Sequence, residues 1–163
     1  MAKLLLSLHL LAAIIAIGPV TVAASMFPRK AQAALAAADG GGAGAAESAA
    51  SVRVLFRITQ VYAGIGLAVP VLGIGTAQVM GVMGSPWLIT SLVLTGLAAL
   101  VLMFLVLPKQ QAVVAALAGE PDADPVKAAG SLKQLTMGTG MFSLLWAVVT
   151  VLMVVRPGSS THA

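Results

Sequence analysis

Apolar positions fall into four runs, residues 4–27, 55–80, 87–107 and 135–155, separated by polar or glycine-rich stretches. A hydrocarbon core about 30 Å thick is crossed by about 20 residues of helix rising about 1.5 Å each, so every run predicts a spanning helix. None of the runs contains Asp, Glu, Lys or Arg apart from Arg57, close enough to one end for its long side chain to reach the interface. The pattern predicts an all-α polytopic membrane protein: one integral membrane domain over residues 1–163, a four-transmembrane-helix bundle made of two similar hairpins, 4–80 and 87–155, followed by a tail at 156–163.

Local signals extend the helices past the apolar runs. Residues 31–38 (AQAALAAA) and 111–118 (QAVVAALA) are strong helix formers that carry the first and third spans past Pro28 and Pro108 to Gly40 and Gly119. Asp124 followed by Pro125 is an N-cap and first-turn pair, so the fourth helix begins well before its apolar part. GGGAGAA, residues 40–46, lacks the Lys and Ser or Thr of a phosphate-binding loop and reads as a tip between helices. The chain also resembles itself at an offset of 80 residues. Phe27-Pro28-Arg29 falls over Leu107-Pro108-Lys109, and Ser51-Val52-Arg53-Val54-Leu55 over Ser131-Leu132-Lys133-Gln134-Leu135. That offset predicts two hairpins related by a pseudo-two-fold axis along the membrane normal.

Composition removes the soluble alternative. With 60% hydrophobic and 9% charged residues and a mean hydropathy of +1.04, 163 residues have too little polar surface to cover a globule. Lys3 before the first run and AQA at residues 31–33 imitate a secretory signal. The run exceeds the roughly 7–15 apolar residues of such signals and ends in Arg29 and Lys30, which predicts an uncleaved span. Cysteine is absent, which excludes disulfides and thiolate chemistry.

The formal charge of +4 does not indicate nucleic acid, because the basic residues are distributed by membrane side and form no face interleaved with aromatics. Lys3 and Arg156 belong to the side with both termini, whereas Arg29, Lys30, Arg53, Arg57, Lys109, Lys127 and Lys133 belong to the other. The positive-inside rule therefore predicts cytoplasmic long loops and external N- and C-termini in a bacterial plasma membrane.

Helices in lipid gain little from apolar contact with each other and associate through small residues that let backbones approach. Such residues form stripes: Gly66, Pro70, Gly73 and Ala77 on the second span, Ser91, Thr95 and Ala98 on the third, and Thr136, Gly140, Ser143, Ala147 and Thr150 on the fourth. The expectation is that these stripes face the bundle interior and that Pro70 bends the second helix.

Candidate chemistry centres on His9, within LLLSLHLLAAIIAIGPV, on a face shared with Ala12, Ala13, Ala16, Val20 and Ala23. One reading is a neutral imidazole that hydrogen-bonds Gln78, Ser91 or Thr150 and orients the helices. The other is a ligand to haem b or copper, partnered by Met80 or Met153. Ile89 stands where the repeat would need a second histidine, and His162 lies in the polar tail.

LHLLAAIIAIG, residues 8–18, resembles the opening of a family of small bacterial four-helix integral membrane proteins with no assigned activity. More distantly it is similar to the copper-resistance D and membrane protoporphyrinogen oxidase families, which start with LHxxAAxxWxGG. The resemblance covers the first span, with Ile15 to Pro19 (IAIGP) in place of Trp-x-Gly-Gly. For oxidase-type members it implies haem-linked chemistry at the histidine, here His9.

Other routes to catalysis lack their residues: no carboxylate lies within a span, and Ser7 has no neighbouring base. Glu120, Asp122 and Asp124, set beside prolines on a loop, read as capping and solubility rather than as a cation site. Trp87 marks a membrane interface, and Trp146 anchors a contact near mid-membrane. The sequence thus points to a non-catalytic accessory or assembly subunit packing against other integral membrane protein subunits in the lipid bilayer; the alternative is a redox protein holding haem or copper at His9.

Overall fold

The computed structural model describes residues 1–41 and 44–158. Gly42 and Ala43 of the glycine tip, and residues 159–163, which include His162, lie outside the described residues. The helices are α1 (Ala2–Asp39), α2 (Ala45–Gly66), α3 (Ala68–Val79), α4 (Pro86–Leu100), a π-helical stretch (Val101–Val106), α5 (Leu107–Ala118) and α6 (Pro125–Val155). They stack into four rods, Ala2–Asp39, Ala45–Val79, Pro86–Ala118 and Pro125–Val155, each long and apolar enough to cross a membrane. At about 1.5 Å per residue the first rod runs about 57 Å, so it overshoots a hydrocarbon core of about 30 Å by a wide margin.

The overshoot ends where the glycines sit. Gly40 caps α1, and Gly119 caps α5 in the left-handed conformation (φ 69°, ψ 31°) that glycine adopts without steric cost. At the start of α6 the Asp124 carboxylate accepts the backbone N–H groups of Val126 and Lys127 at 3.0 and 3.1 Å, with Pro125 in the first turn. The N–H of Lys127 is the main influence holding the Asp124 carboxyl below its ordinary value, helped by Val126 and by the Lys127 ammonium.

Pro70 has no N–H to give Gly66, and the second rod breaks one turn earlier, between α2 and α3. There Leu67 turns its N–H to the Gly64 carbonyl at 3.2 Å, a tighter bond than the α-helical one. The expected bend is therefore a break at Leu67, placed by the carbonyl that the proline strands.

The first rod packs along both α2 and α3, and α6 packs along α4, the π stretch and α5. Contacts of α1 with α6 and of α2 with α5 join the two pairs. The core lies toward the end that carries the two long connections: Phe27, Ala31, Ala34, Val52, Val106, Val113, Ala128 and Leu135 are all buried there. A smaller cluster of Ala77, Trp87 and Leu88, with Met153 against it, closes the opposite end.

Burial does not follow the 80-residue register, for Pro28 is buried and Pro108 exposed. Val20 and Ala24 are buried like Ala98 and Leu102, 78 residues on; Phe27, Ala31 and Ala34 are buried like Val106, Gln110 and Val113, 79 residues on. The slip of one falls at the π stretch, whose wider turn takes up an extra residue. On the second and fourth rods the buried positions Val52, Thr59 and Ala63 answer to Ala128, Leu135 and Thr139, 76 residues on.

The fourth span departs from expectation in its facing. Thr136, Gly140, Ala147 and Thr150 are exposed and Ser143 is half-buried, while Leu135, Gly138, Thr139, Phe142 and Val149 face inward. Bulk at Leu135 and Phe142 fills the core, and Gly138 makes room for the π stretch, since a Cβ there would overlap Leu105 Cδ2 and meet Val106 Cγ2 at 3.4 Å. Gly140 has nothing within 4 Å of the same position. Gly138→Val should therefore cost about 1 to 3 kcal/mol of stability by overpacking, while Gly140→Val leaves the bundle near its original stability. Unfolding of the two variants in mixed detergent checks this, and equal losses would contradict the facing described.

Candidate functional site

His9 is brought to the second rod, one residue before the proline that breaks it. Its Nδ1 lies 3.0 Å from the carbonyl oxygen of Val69. A carbonyl can only accept, so Nδ1 carries a proton and donates it; in the neutral ring that leaves the lone pair on Nε2. The imidazole lies over Gly73, where a Cβ would come within 3.0 Å of His9 Cε1. Two turns along, a Cβ on Gly66 would touch Ile17 at 3.8 Å, and Ala77 is buried in the end cluster. Gly66 and Gly73 thus line the face of the second rod along which α1 approaches, with Pro70 half-buried between them, while Ala77 packs against Trp87 and Leu88.

The side chains expected to partner His9 are engaged elsewhere or turned away. Ser91 Oγ donates to the Trp87 carbonyl at 2.8 Å, Thr150 Oγ1 donates to the Trp146 carbonyl at 2.8 Å, and Gln78 is exposed. Thr21, Thr59, Thr76 and Thr139 likewise each donate to a carbonyl one turn back. Among the described residues, two side-chain hydrogen bonds pass between rods, His9 to Val69 and Lys109 to Gln134.

The methionines are not assembled into a ligand set with His9. Met80 is seven residues beyond Gly73 on the same rod, about 10 Å along the axis, and Met153 packs against Ala77, Trp87 and Leu88. Among the described residues no group of three or more His, Cys, Asp or Glu could hold a metal ion. The residues around His9 therefore do not fit an axial pair for haem; they present one imidazole nitrogen with its tautomer fixed.

A cavity of about 40 Å³ opens where the second rod breaks, walled by Val20, Tyr62, Pro70, Thr95, Phe142 and Trp146 from all four rods. It is far smaller than the roughly 300–1,000 Å³ of ordinary ligand pockets. Trp146 meets Phe142 edge to face at 6.4 Å, and its indole N–H is buried without a partner. At the other end, Arg156 lies over the Trp87 ring, 5.7 Å from its centroid. A polar cleft between α5 and α6 is lined by Lys109, Glu120, Asp122, Asp124, Lys127 and Ser131, but the Asp124 carboxylate there is already taken by two N–H groups and Lys127.

Sequence reasoning missed Gln110. It is fully buried, and neither atom of its amide has a partner. Its spacing from Val106 and Val113 places it on their inward face, a signal present in the sequence but masked by its place in a polar-looking extension.

Comparison of the chain with protein-family models, curated proteins and solved structures finds no match.

His9 and Gly73 act on one contact, which gives a specific expectation. Gly73→Ala pushes the ring off the Val69 carbonyl, and His9→Ala removes it, so the double variant should be less destabilised than the sum of the two by about 0.5 kcal/mol or more. A double-mutant cycle of unfolding free energies in detergent measures the coupling. Strict additivity would dissociate His9 from Gly73.

Proposed function

We propose that the chain is a non-catalytic accessory or assembly subunit of a bacterial plasma-membrane complex, docking on a larger membrane protein through its fourth rod. The observation that carries this reading is the outward stripe of Thr136, Gly140, Ala147 and Thr150, with Ser143 beside it. Lipid chains gain nothing from a face of glycine, alanine and hydroxyl groups, whereas another helix can approach closely along it. The absence of charged side chains from the spans apart from Arg57 agrees with a role without proton or ion relays.

The orientation that accompanies this reading has both termini outside and both long connections in the cytoplasm, supported by the seven-to-two distribution of Lys and Arg. The two hairpins are read as a pseudo-repeat about an axis along the membrane normal, supported by the recurrence of burial at 78, 79 and 76 residues. The likeness of residues 8–18 to the small four-helix bacterial family accords with the number of spans.

One observation favours a second reading. An imidazole whose Nδ1–H is held by a carbonyl is oriented as metal-ligating histidines are, with Nε2 available for one coordination position. A haem or copper centre there would take its other ligands from outside the residues around His9.

Capture of the full-length protein from its native membrane in mild detergent separates the readings. The accessory role predicts a stoichiometric membrane-protein partner that is lost in Gly140→Leu and kept in His9→Ala. A visible absorption band that disappears in His9→Ala, with no partner affected by Gly140→Leu, would overturn it in favour of the redox protein. Orientation has its own test: a reporter active only outside the cytoplasm should be active after Ala163 and silent when inserted at Gly42. The opposite pattern would reverse the threading.

A further inference from the structure

Six basic side chains lie close to one depth around the bundle. The contacts of His9 with Gly73 and of Ile17 with Gly66 set the register of the first two rods. Continued along antiparallel helices, that register brings Arg53 level with Arg29 and Lys30, and Arg57 one turn nearer the apolar centre. The bond from Lys109 to Gln134 likewise sets Lys133 beside Lys109. The cavity shared by Val20 and Leu102 levels the two hairpins, and Lys30 lies ten residues past the one, Lys109 seven past the other. All six therefore sit within about one or two helical turns of a common plane.

Five of them have no carboxylate partner; the sixth, Lys109, shares the cleft between α5 and α6 with Glu120, Asp122 and Asp124. Arg29, Lys30, Arg53, Arg57 and Lys133 form no ion pair among the described residues, and all five are exposed. The acids are held off by the helical extensions: Asp39 is nine residues beyond Lys30, Asp124 nine before Lys133 and Glu47 six before Arg53, or about 9 to 14 Å along the axes. Depth agrees with a headgroup layer, since Lys3 and Lys30 on one continuous helix are about 40 Å apart along its axis, the full thickness of a bilayer with its polar regions. Like charges crowded at one level repel, and phosphodiester groups at that level are the anions positioned to relieve them.

We propose that this belt is a binding surface for anionic phospholipid headgroups, holding them as a charged collar around the end of the bundle that carries the two long connections. Guanidinium groups at Arg29, Arg53 and Arg57 suit bidentate contact with phosphate, and the lysines add point charge. The inference does not depend on which protein, if any, the fourth rod meets.

The test is native mass spectrometry of the full-length, delipidated protein titrated in neutral detergent with phosphatidylglycerol or with phosphatidylcholine. Phosphatidylglycerol should bind at least about tenfold more tightly, and the preference should fall steeply with salt. Arg53→Gln with Lys133→Gln should weaken phosphatidylglycerol by about fivefold per cation removed, about 25-fold together. Charge-conserving Arg53→Lys with Lys133→Arg should retain the preference, which separates charge from any effect on folding. Lys127→Gln, six residues farther out and already paired with Asp124, should bind as the unaltered protein does. Equal affinity for the two lipids, a double Gln variant that still binds phosphatidylglycerol normally, or displacement of the lipid by millimolar inorganic phosphate would each overturn the proposal.

Discussion

Hydrocarbon offers no hydrogen-bond partner to a backbone and no reward for apolar contact, and the architecture of this chain follows from that double constraint. Every intramembrane hydroxyl bond described above is turned back on a carbonyl of its own helix. Cohesion must then come from close approach, and the structure concentrates it at a few points: Gly66 against Ile17, Gly73 under His9, and Gly138 against Leu105 and Val106. At the first two points the first rod reaches the second, and at the third the fourth rod receives the π stretch of the third. The His9 bond to the Val69 carbonyl belongs to the same logic, because a polar side chain in a span needs an acceptor, and this ring, too long to turn back on its own helix, finds one on the second rod beside Pro70.

Packing is uneven along the bundle, and the unevenness has a physical source. On α1 no residue before Ala16 is buried, whereas Phe27, Ala31 and Ala34 are fully enclosed. The well-packed end is where the helices leave the hydrocarbon, so water can restore there the ordinary hydrophobic contribution that lipid removes. Gln110 lies in that core with its amide unpaired, at a depth where a polar group costs less than it would in mid-membrane. The opposite halves of the rods present Leu, Ile and Val to lipid. The fourth rod does the same at Met137, Leu144, Val151 and Val154, and beside these it exposes a stripe of small residues.

Much of this was legible in the sequence. Four apolar runs gave four spanning rods, Gly40 and Gly119 stopped the extended helices, and Asp124-Pro125 started the last one, because each of these is decided by local chemistry within a few residues. What was not legible depended on contacts between rods. Small residues were read as inward on the fourth span, yet the inward face is one residue around, at Leu135, Gly138, Thr139, Phe142 and Val149. The rule that small residues mark helix contacts says nothing about whether the contacting helix belongs to the same chain. The partner of His9 was sought among side chains, while the acceptor was a backbone carbonyl that no pattern of residue types displays. Burial recurs at 78, 79 and 76 residues instead of 80, and the one-residue step at the π stretch has no sequence mark of its own.

The fourth rod turns Gly138 inward and Gly140 outward, on the face proposed to meet another membrane protein. The chain has no cysteine, so single cysteines can be placed at either position and labelled in native membranes with a short thiol-reactive benzophenone, which inserts into C–H bonds on illumination. Gly140→Cys should yield one discrete product larger than the chain by the mass of a partner, and Gly138→Cys should yield none. Cross-linking from Gly138→Cys, or from neither position while the protein is present at its normal level, would contradict the account.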